Sequence, residues 1–362
     1  MFGAHPRLGW DDLARKFGAD TADALFAEAK PALNWALELI RTEGIDCDLQ
    51  NTGRIQLAWT QAQFDSQRRL AAQVSTKSEV QVDVVERDGL NQEINTKAYF
   101  GGILFPEHCA IQPAKFHQGL LQAAQHRGIP VTANARVDRL ERMGTGFTAY
   151  TGQGMIKAEK VILATNGYTT RPFGWHAARI FPLPSYIIAS EELPANLIRH
   201  LAPGGRMMVE TRARHSYFRL SPDGKRILYG GRASMRDIPL PLAATRLHDT
   251  MCEIWPELAE TRISHVWTGN TGYSFTHMAH VGEREGLHFA MGFSGSGTVM
   301  APYLGAKAAY RALDDARGQT AYAETHLKRH WLHPLQTPHF LKVADLWYRG
   351  WVDRRENVHR RK

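Results

Sequence analysis

One stretch near the C-terminal end constrains the fold more than any other, because it has the pattern of a buried strand, a glycine-rich turn and a helix. Residues 287–292 are apolar and strand-like, and residues 299–316 have helical periodicity. Three glycines in the six residues 292–297 let the backbone approach a ligand closely. The helix start behind them presents unpaired N–H groups, which favour phosphate or developing negative charge. The spacing fits a ligand-free strand-to-helix turn equally well.

A second apolar strand, residues 161–164, ends in Thr165, Asn166 and Gly167. Ligands of open α/β sheets gather at the carboxyl ends of strands, so this end is a candidate cofactor edge; a plain strand-to-loop turn is the alternative. Residues 144–149 match the dinucleotide pattern G-x-G-x-x-A. Charged residues precede them and an alternating stretch follows, which predicts a hairpin turn instead.

The remaining chain places a β-rich segment between two segments of strand–helix alternation. Helices are predicted over 20–43, 61–75 and 113–128, and strands over 54–59, 80–85 and around Val131. Pro31 is expected to kink or divide the first helix, because it cannot donate the helical hydrogen bond. Residues 180–275 are mainly β, with two strands flanking a turn at 221–225. This order predicts two domains, one of which interrupts the other.

Composition and charge exclude several classes of protein. The 362 residues include 44 basic and 36 acidic side chains, a net charge of +8. The last ten residues hold five Lys or Arg and two acidic residues, a net charge of +3. The remaining positive charge is spread too thinly over the rest of the chain to form a nucleic-acid surface. That tail is interpreted as a solvated terminus, with its basic residues at Arg354, Arg355, Arg360, Arg361 and Lys362. The sequence has no apolar run of membrane length and no signal-peptide pattern, so a cytoplasmic protein is expected.

Cysteine and histidine follow no recognised disulfide or metal pattern. The three cysteines stand far apart without a C-x-x-C motif: Cys47, Cys109 and Cys252. The histidines form two clusters, the second on a predicted helix face: His277 with His280, and His326 with His330 and His333. Neither cluster has an Asp or Glu at a ligand spacing, so packed or solvated histidines and no metal are expected.

Polar side chains in the β-rich segment are candidates for substrate binding. Strand alternation places Tyr217 and Arg219 on one face, where phenol and guanidinium together could hold a carboxylate. Arg232 follows a pair of glycines. The alternative for these arginines is an exposed strand position.

Together, these segments resemble the FAD-dependent amine and amino-acid oxidases of the D-amino-acid oxidase superfamily, in particular its γ-glutamylputrescine oxidoreductase-like branch. The resemblance covers residues 20–350 and rests on the order and spacing of short motifs at 44–48, 53–55, 101–103, 111–114, 158–169, 217–220, 229–232, 267–269, 292–297 and 302–305. It implies an α/β (mixed α+β) fold in which an N-terminally truncated, Rossmann-like FAD domain is interrupted by a β-rich substrate domain. The implied boundaries are 1–45, 111–178 and 276–325 for the FAD domain, 46–110 and 179–275 for the substrate domain, and 326–362 for a helical, basic tail.

The resemblance also implies FAD as cofactor, a small amine or amino acid as substrate, and dioxygen or another electron acceptor. The implied cofactor-binding residues are Val137 near the adenine, then Ala164, Thr165, Asn166, Gly167, Gly292, Phe293, Ser294, Gly295, Ser296, Gly297 and Thr298. The substrate-binding candidates are Tyr217, Arg219, Arg232 and Trp267. A substrate hydride would pass to flavin N5, and the imine product would hydrolyse. The start of the helix predicted over 299–316 would stabilise the negative charge that the flavin acquires.

The sequence departs from the family pattern at two places. His277 and Ala279 stand where the family commonly has an acidic residue and a proline. The family's opening strand, G-x-G-x-x-G turn and acidic ribose-binding residue do not precede Gly3, so the chain is expected to begin just after that unit. Two hypotheses follow: a flavin oxidoreductase, or a non-catalytic remnant that binds no FAD and acts as a binding protein.

Overall fold

The computed structural model describes residues 1–4, 8–323, 325–333 and 338–356. The α-helices in these ranges are α1 (Trp10–Phe17), α2 (Ala19–Thr42), α3 (Gln61–Lys77), α4 (Pro113–His126), α5 (Gly174–Ala177), α6 (Ala195–Leu201), α7 (Leu240–Cys252), α8 (Gly297–Ala312) and α9 (Phe340–Trp347). The strands are β1 (Arg54–Leu57), β2 (Asp83–Glu86), β3 (Gly101–Phe105), β4 (Val137–Met143), β5 (Gly146–Thr151), β6 (Gly154–Ala158), β7 (Val161–Leu163), β8 (Ile180–Ser190), β9 (Met207–Glu210), β10 (Ser216–Leu220), β11 (Ile227–Gly231), β12 (Ile263–Ser274), β13 (His280–Arg284) and β14 (Leu287–Met291).

Eight strands form one large sheet in the order β12-β8-β11-β10-β9-β1-β3-β2. All eight come from the two segments 46–110 and 179–275, and the parallel pair β1–β9 joins one segment to the other. Large aromatic side chains, among them Trp59, Tyr229 and Trp255, are fully buried against this sheet. The domain boundaries given above stay a prediction.

Two smaller sheets complete the strands of the described ranges. One is the meander β4-β5-β6, and the other has the order β13-β14-β7. In the second sheet β14 and β7 run parallel, with Leu287 opposite Val161 and Phe289 opposite Leu163. The carboxyl ends of these two strands therefore lie side by side, which brings the two small-residue turns of the sequence to one edge.

Helices α2 and α8 pack together in the largest apolar core of the described chain. Trp35 and Tyr303 meet edge to face with ring centroids 5.8 Å apart. The Glu28 carboxylate accepts hydrogen bonds from Tyr303 Oη at 2.8 Å and Thr320 Oγ1 at 2.6 Å. These contacts fix α8, and with it the turn that precedes α8.

Several local predictions are confirmed. The stretch 144–149 holds the hairpin turn between β4 and β5, and residues 221–225 connect β10 to β11. Pro113 is the first residue of α4. The strand–turn–helix pattern near the C-terminal end forms β14 and α8.

Two local predictions are wrong, and so is one of two alternatives in a third. Pro31 does not divide the first helix, because α2 continues through this position, whereas a kink there stays a prediction. Pro31 faces solvent, where water can satisfy the freed carbonyl. Val131 is 53% exposed and lies outside any strand; β4 begins only at Val137, since no neighbouring strand pairs with the earlier residues. Residues 326–333 form no helix, so the predicted histidine face does not exist.

The basic tail is only partly within the described ranges. Arg354 and Arg355 are exposed there, whereas Arg360, Arg361 and Lys362 lie outside the described residues. Among the residues described, no helix combines the length and the apolar character needed to cross a membrane.

Candidate active site

A cavity of about 490 Å³ lies where the large sheet meets the turn before α8. Its walls come from residues 1–3, β1, the loop between β9 and β10, β8, β12 and that turn. Among the described residues that line it, Arg54, Arg212 and Arg232 carry guanidinium groups and Glu210 carries a carboxylate. Three guanidinium groups against one carboxylate give the lining an excess of positive charge, which favours an anionic ligand.

The turn before α8 forms one wall of the cavity. Gly295 has a φ of 100°, which glycine adopts without steric cost, and it lines the cavity with Ser296 and Thr298. Ser296 is the N-cap of α8 but makes no side-chain cap hydrogen bond. The first turn of α8, which begins at Gly297, therefore offers its N–H groups to a ligand oxygen or a negative charge.

The other residues of this turn hold it in place. Phe293 is buried in the core. The backbone N–H of Ser294 donates to the Gly272 carbonyl at 3.0 Å, and its hydroxyl donates to the Gly292 carbonyl at 2.9 Å. Phe293 and Ser294 therefore stabilise the turn without lining the cavity.

The turn after β7 supports the same edge. Asn166 Oδ1 accepts a hydrogen bond from the Gly292 N–H at 3.0 Å. Gly167 lies against β12 so closely that a Cβ there would be 2.8 Å from the Gly272 nitrogen. Ala164 and Thr165 are exposed at the strand end. Of the predicted cofactor edge, Asn166 and Gly167 thus contact the turn before α8 and β12, while Ala164 and Thr165 are exposed. Cofactor binding by any of these four residues stays a prediction.

Val137 lies apart from this edge. It begins β4 in the meander sheet, where it pairs with Thr151 and is half-buried. It does not line the cavity. Its role near the adenine stays a prediction.

Two predicted substrate residues, Tyr217 and Arg232, line the cavity. The Tyr217 hydroxyl hydrogen-bonds the Ser185 hydroxyl, and burial raises the pKa of Tyr217, so the phenol stays neutral and can donate. Arg232 donates to Tyr273 Oη at 2.8 Å. The structure therefore places the phenols of Tyr217 and Tyr273 and the guanidinium of Arg232 at one cavity.

The other two substrate candidates lie elsewhere. Arg219 donates to the Ile111 carbonyl at 2.9 Å, and burial lowers its pKa. Although Arg219 shares a strand face with Tyr217, two residues of a strand span about 6.6 Å, and only Tyr217 lines the cavity. Trp267 is 41% exposed on β12, opposite Ile187, and is also outside the lining.

Sequence reasoning missed Arg54, Glu210 and Arg212. Burial lowers the pKa of Arg54 to about 9, and its guanidinium lies 4.8 Å from the Phe105 ring centroid. Its one sequence signal is a charged residue at the start of an alternating strand. Glu210 and Arg212 have a clearer sequence signal, because the charged residues of the run Glu210–His215 interrupt an otherwise apolar β segment.

Glu210 is buried and organises one end of the cavity. It accepts hydrogen bonds from Tyr99 Oη at 2.9 Å, from Arg212 Nε at 2.7 Å and from the Ser216 N–H at 2.9 Å. Burial disfavours the charged form of Arg212, but the charge and hydrogen bond of Glu210, together with the neighbouring Tyr229 and Tyr99, hold the pKa of Arg212 above its usual range. Glu210 thus offsets the charge of Arg212, while Arg54 and Arg232 also line the cavity and add to its positive charge.

The histidines of the two clusters are partly packed and partly exposed: His280 and His333 are buried, His330 is half-buried, and His277 and His326 are exposed. His280 hydrogen-bonds the hydroxyls of Thr276 and Thr325 at 2.8 and 2.9 Å. His330 stacks on Phe275, and His333 hydrogen-bonds the Ala177 carbonyl at 2.9 Å. Within the described ranges, no three His, Cys, Asp or Glu side chains are grouped to hold a metal.

Comparison with known proteins identifies the family. The family described as FAD dependent oxidoreductase (DAO) matches residues 5–311. The chain belongs to this family. The resemblance inferred from the sequence, the mixed α/β fold and the dependence of the family on FAD are confirmed.

Individual relatives agree with this assignment. A probable oxidoreductase OrdL of Rhizobium meliloti is 27% identical over 308 residues, which are 84% of this chain and 71% of the relative. The γ-glutamylputrescine oxidoreductase of Escherichia coli is 25% identical over 324 residues, 86% of this chain and 73% of the relative. The crystal structure of glycine oxidase from Geobacillus kaustophilus superposes with a TM-score of 0.69 at 20% identity, covering 86% of this chain and 83% of that one. Iminodiacetate oxidase from Chelativorans gives 0.68 at 16% identity, with coverages of 89% and 88%.

The residues at the cavity fit the ring portion of FAD. The uncapped start of α8 and the exposed backbone of Gly295 form a surface for a ring carbonyl and for negative charge. Ala164 and Thr165 leave the neighbouring strand end open for the rest of the cofactor. The turn before α8 and the end of β7 are therefore the parts of this chain that would hold FAD.

Proposed function

We propose that the protein oxidises the carbon–nitrogen bond of a small amine or amino acid that carries a carboxylate, giving an imine that hydrolyses. The observation that carries the proposal is one cavity with two unlike walls. The uncapped start of α8 forms one wall, and Arg232 with its Tyr273 partner belongs to the other. Glycine oxidase and iminodiacetate oxidase, whose names describe carboxylated amines, support this class of substrate.

The side chains of this chain bind and orient the substrate. Arg232 attracts the carboxylate, and its hydrogen bond to Tyr273 fixes the direction of the guanidinium. When the Ser185 hydroxyl donates to Tyr217, the Tyr217 proton is available for a hydrogen bond to the substrate at the same end of the cavity. A carboxylate held there would place the amine carbon toward the turn before α8.

When bound, FAD would supply the redox chemistry as the acceptor of a hydride, that is two electrons and one proton, from the carbon attached to the substrate nitrogen. The start of α8 would stabilise the resulting negative charge, because its N–H dipoles are already oriented. Dioxygen or another acceptor would be needed to take up the two electrons. The three cysteines are free, as in proteins of a reducing compartment, and we propose a cytoplasmic location.

The test is an absorption spectrum of the purified chain, with and without added FAD and after desalting. Retained flavin bands that bleach anaerobically with glycine, L-proline, iminodiacetate or γ-glutamylputrescine would support the proposal and name the substrate. Putrescine, which has no carboxylate, is the control: retained flavin that is bleached by putrescine alone, or by none of these amines, would contradict the substrate class. A chain that retains no flavin would support the second hypothesis, a protein that does not catalyse oxidation.

A further inference from the structure

The loop between β9 and β10 has two sides with different partners. Thr211, Arg212 and His215 line the cavity. Between them, Ala213 and Arg214 contact the helical segment that follows α9, more than 130 residues later in the chain. This segment reaches the cavity wall from outside.

Glu356 holds the backbone of this loop. Its two carboxylate oxygens accept the Ala213 N–H at 3.1 and 3.2 Å. Gln63 donates to the same carboxylate at 3.3 Å, and its amide oxygen accepts from Thr211 Oγ1 at 2.7 Å. Glu356 is thus connected to a cavity-lining residue through one intervening side chain.

Asp353 holds the side chain of the same loop. Both its carboxylate oxygens pair with the Arg214 guanidinium, one bond being 3.1 Å long. Arg214 in turn donates to the Arg232 carbonyl at 3.3 Å. The contact therefore extends from the C-terminal segment to the backbone of the residue proposed to bind the carboxylate.

The orientation of the C-terminal segment supports this arrangement. Three acidic residues lie between 340 and 356, and all turn inward: Asp345 accepts from the Met235 N–H at 2.8 Å, and the other two are Asp353 and Glu356. The basic residues Lys342 and Arg354 are exposed on the outer side. The segment therefore presents its carboxylates to the two loops, 211–215 and 232–236, that flank the cavity.

We infer that Asp353 and Glu356 are positioning residues, which fix the 211–215 loop and the Arg232 backbone in the geometry that binds the substrate. The inference rests on the proposed function for its kinetic consequence. The contact itself is independent of any cofactor.

Hydrogen–deuterium exchange of the full chain tests the contact. In Glu356→Ala, amides of residues 207–216 are expected to exchange on the order of tenfold faster, because the Ala213 N–H loses a charged acceptor. Glu356→Gln keeps one acceptor oxygen and is expected to restore most of the protection. Arg354→Ala, on the exposed side of the same turn, is the matched control. Unchanged exchange over 207–216 in Glu356→Ala would overturn the inference.

Kinetics with the best amine of the panel tests the consequence. Glu356→Ala and Asp353→Ala are expected to raise KM roughly tenfold while flavin retention stays at the wild-type level. Glu356→Gln and Arg354→Ala are expected to keep KM near the wild-type value. Faster exchange with an unchanged KM would overturn the positioning role. If wild-type flavin is never bleached, the proposed function fails, and exchange still decides whether these carboxylates hold the loop.

Discussion

Gly230→Ala tests how Tyr217 is held in the cavity wall. A Cβ at this position would lie 2.2 Å from Cε2 and 2.6 Å from Cζ of the Tyr217 ring. Carbon atoms need about 3.5 Å, so the ring has to move by about 1.3 Å, and its hydrogen bond to Ser185 is broken or bent. Overpacking of this kind lowers the free energy of unfolding by about 1–3 kcal/mol.

A double-mutant cycle isolates that clash. Denaturant unfolding would be measured for the wild type, Gly230→Ala, Tyr217→Ala and the double variant. With the ring removed, Gly230→Ala is expected to cost almost nothing, so the coupling free energy is about 1–3 kcal/mol. Gly231→Ala is the control, because a Cβ there would lie 3.3 Å from Ser216 Oγ, a contact that small shifts relieve. Equal losses from Gly230→Ala with and without the tyrosine ring would refute this explanation.

Three further predictions concern the carboxylate anchor, the junction of the sheets and pH. Arg232→Met is expected to raise KM for carboxylated amines by about 10–100-fold without loss of flavin. Arg246→Met is the control, because Arg246 lies on α7 and does not line the cavity. An unchanged KM in Arg232→Met would exclude Arg232 as the anchor. Asn166→Ala removes the acceptor of the Gly292 N–H and is expected to lower the free energy of unfolding by about 1–3 kcal/mol and to weaken flavin retention, measured by desalting. Burial lowers the pKa of His280 to about 3, so the unfolded chain binds more protons between about pH 3 and 6.5. The free energy of unfolding should therefore fall as pH drops through this window, by up to about 1.4 kcal/mol per pH unit, and His280→Gln should flatten the profile.

The sequence predicts well where its pattern is local. The apolar run before Gly292 and the periodic residues after Gly297 specify β14 and α8, because a strand, a flexible turn and a helix each leave a signal within a few residues. The same reasoning separated the hairpin at 144–149 from a dinucleotide turn. Each prediction needed only the residues of the element itself.

Features that depend on distant partners were not predictable from such patterns. Strand alternation could not decide between Arg219 and Arg232, because the cavity is closed by β8 and β12, which alternation on β10 does not specify. The contact of Glu356 with Ala213 spans 143 residues and has no local motif. Val131 lies outside any strand for a related reason. A β-strand needs a neighbouring strand to hydrogen-bond with, and the apolar residues around Val131 do not by themselves provide such a neighbour.

The junction between the sheets links the cofactor side of the cavity to its substrate side. A Cβ on Gly272 of β12 would lie 2.2 Å from Asn166 Oδ1, the same atom that accepts the Gly292 N–H. The Gly272 carbonyl meanwhile accepts the N–H of Ser294, in the turn before α8. One residue farther along β12, Tyr273 holds Arg232. Because neighbouring residues of one strand contact both walls, a displacement of β12 would change the distance between the start of α8 and the carboxylate anchor, and hence the placement of the amine carbon.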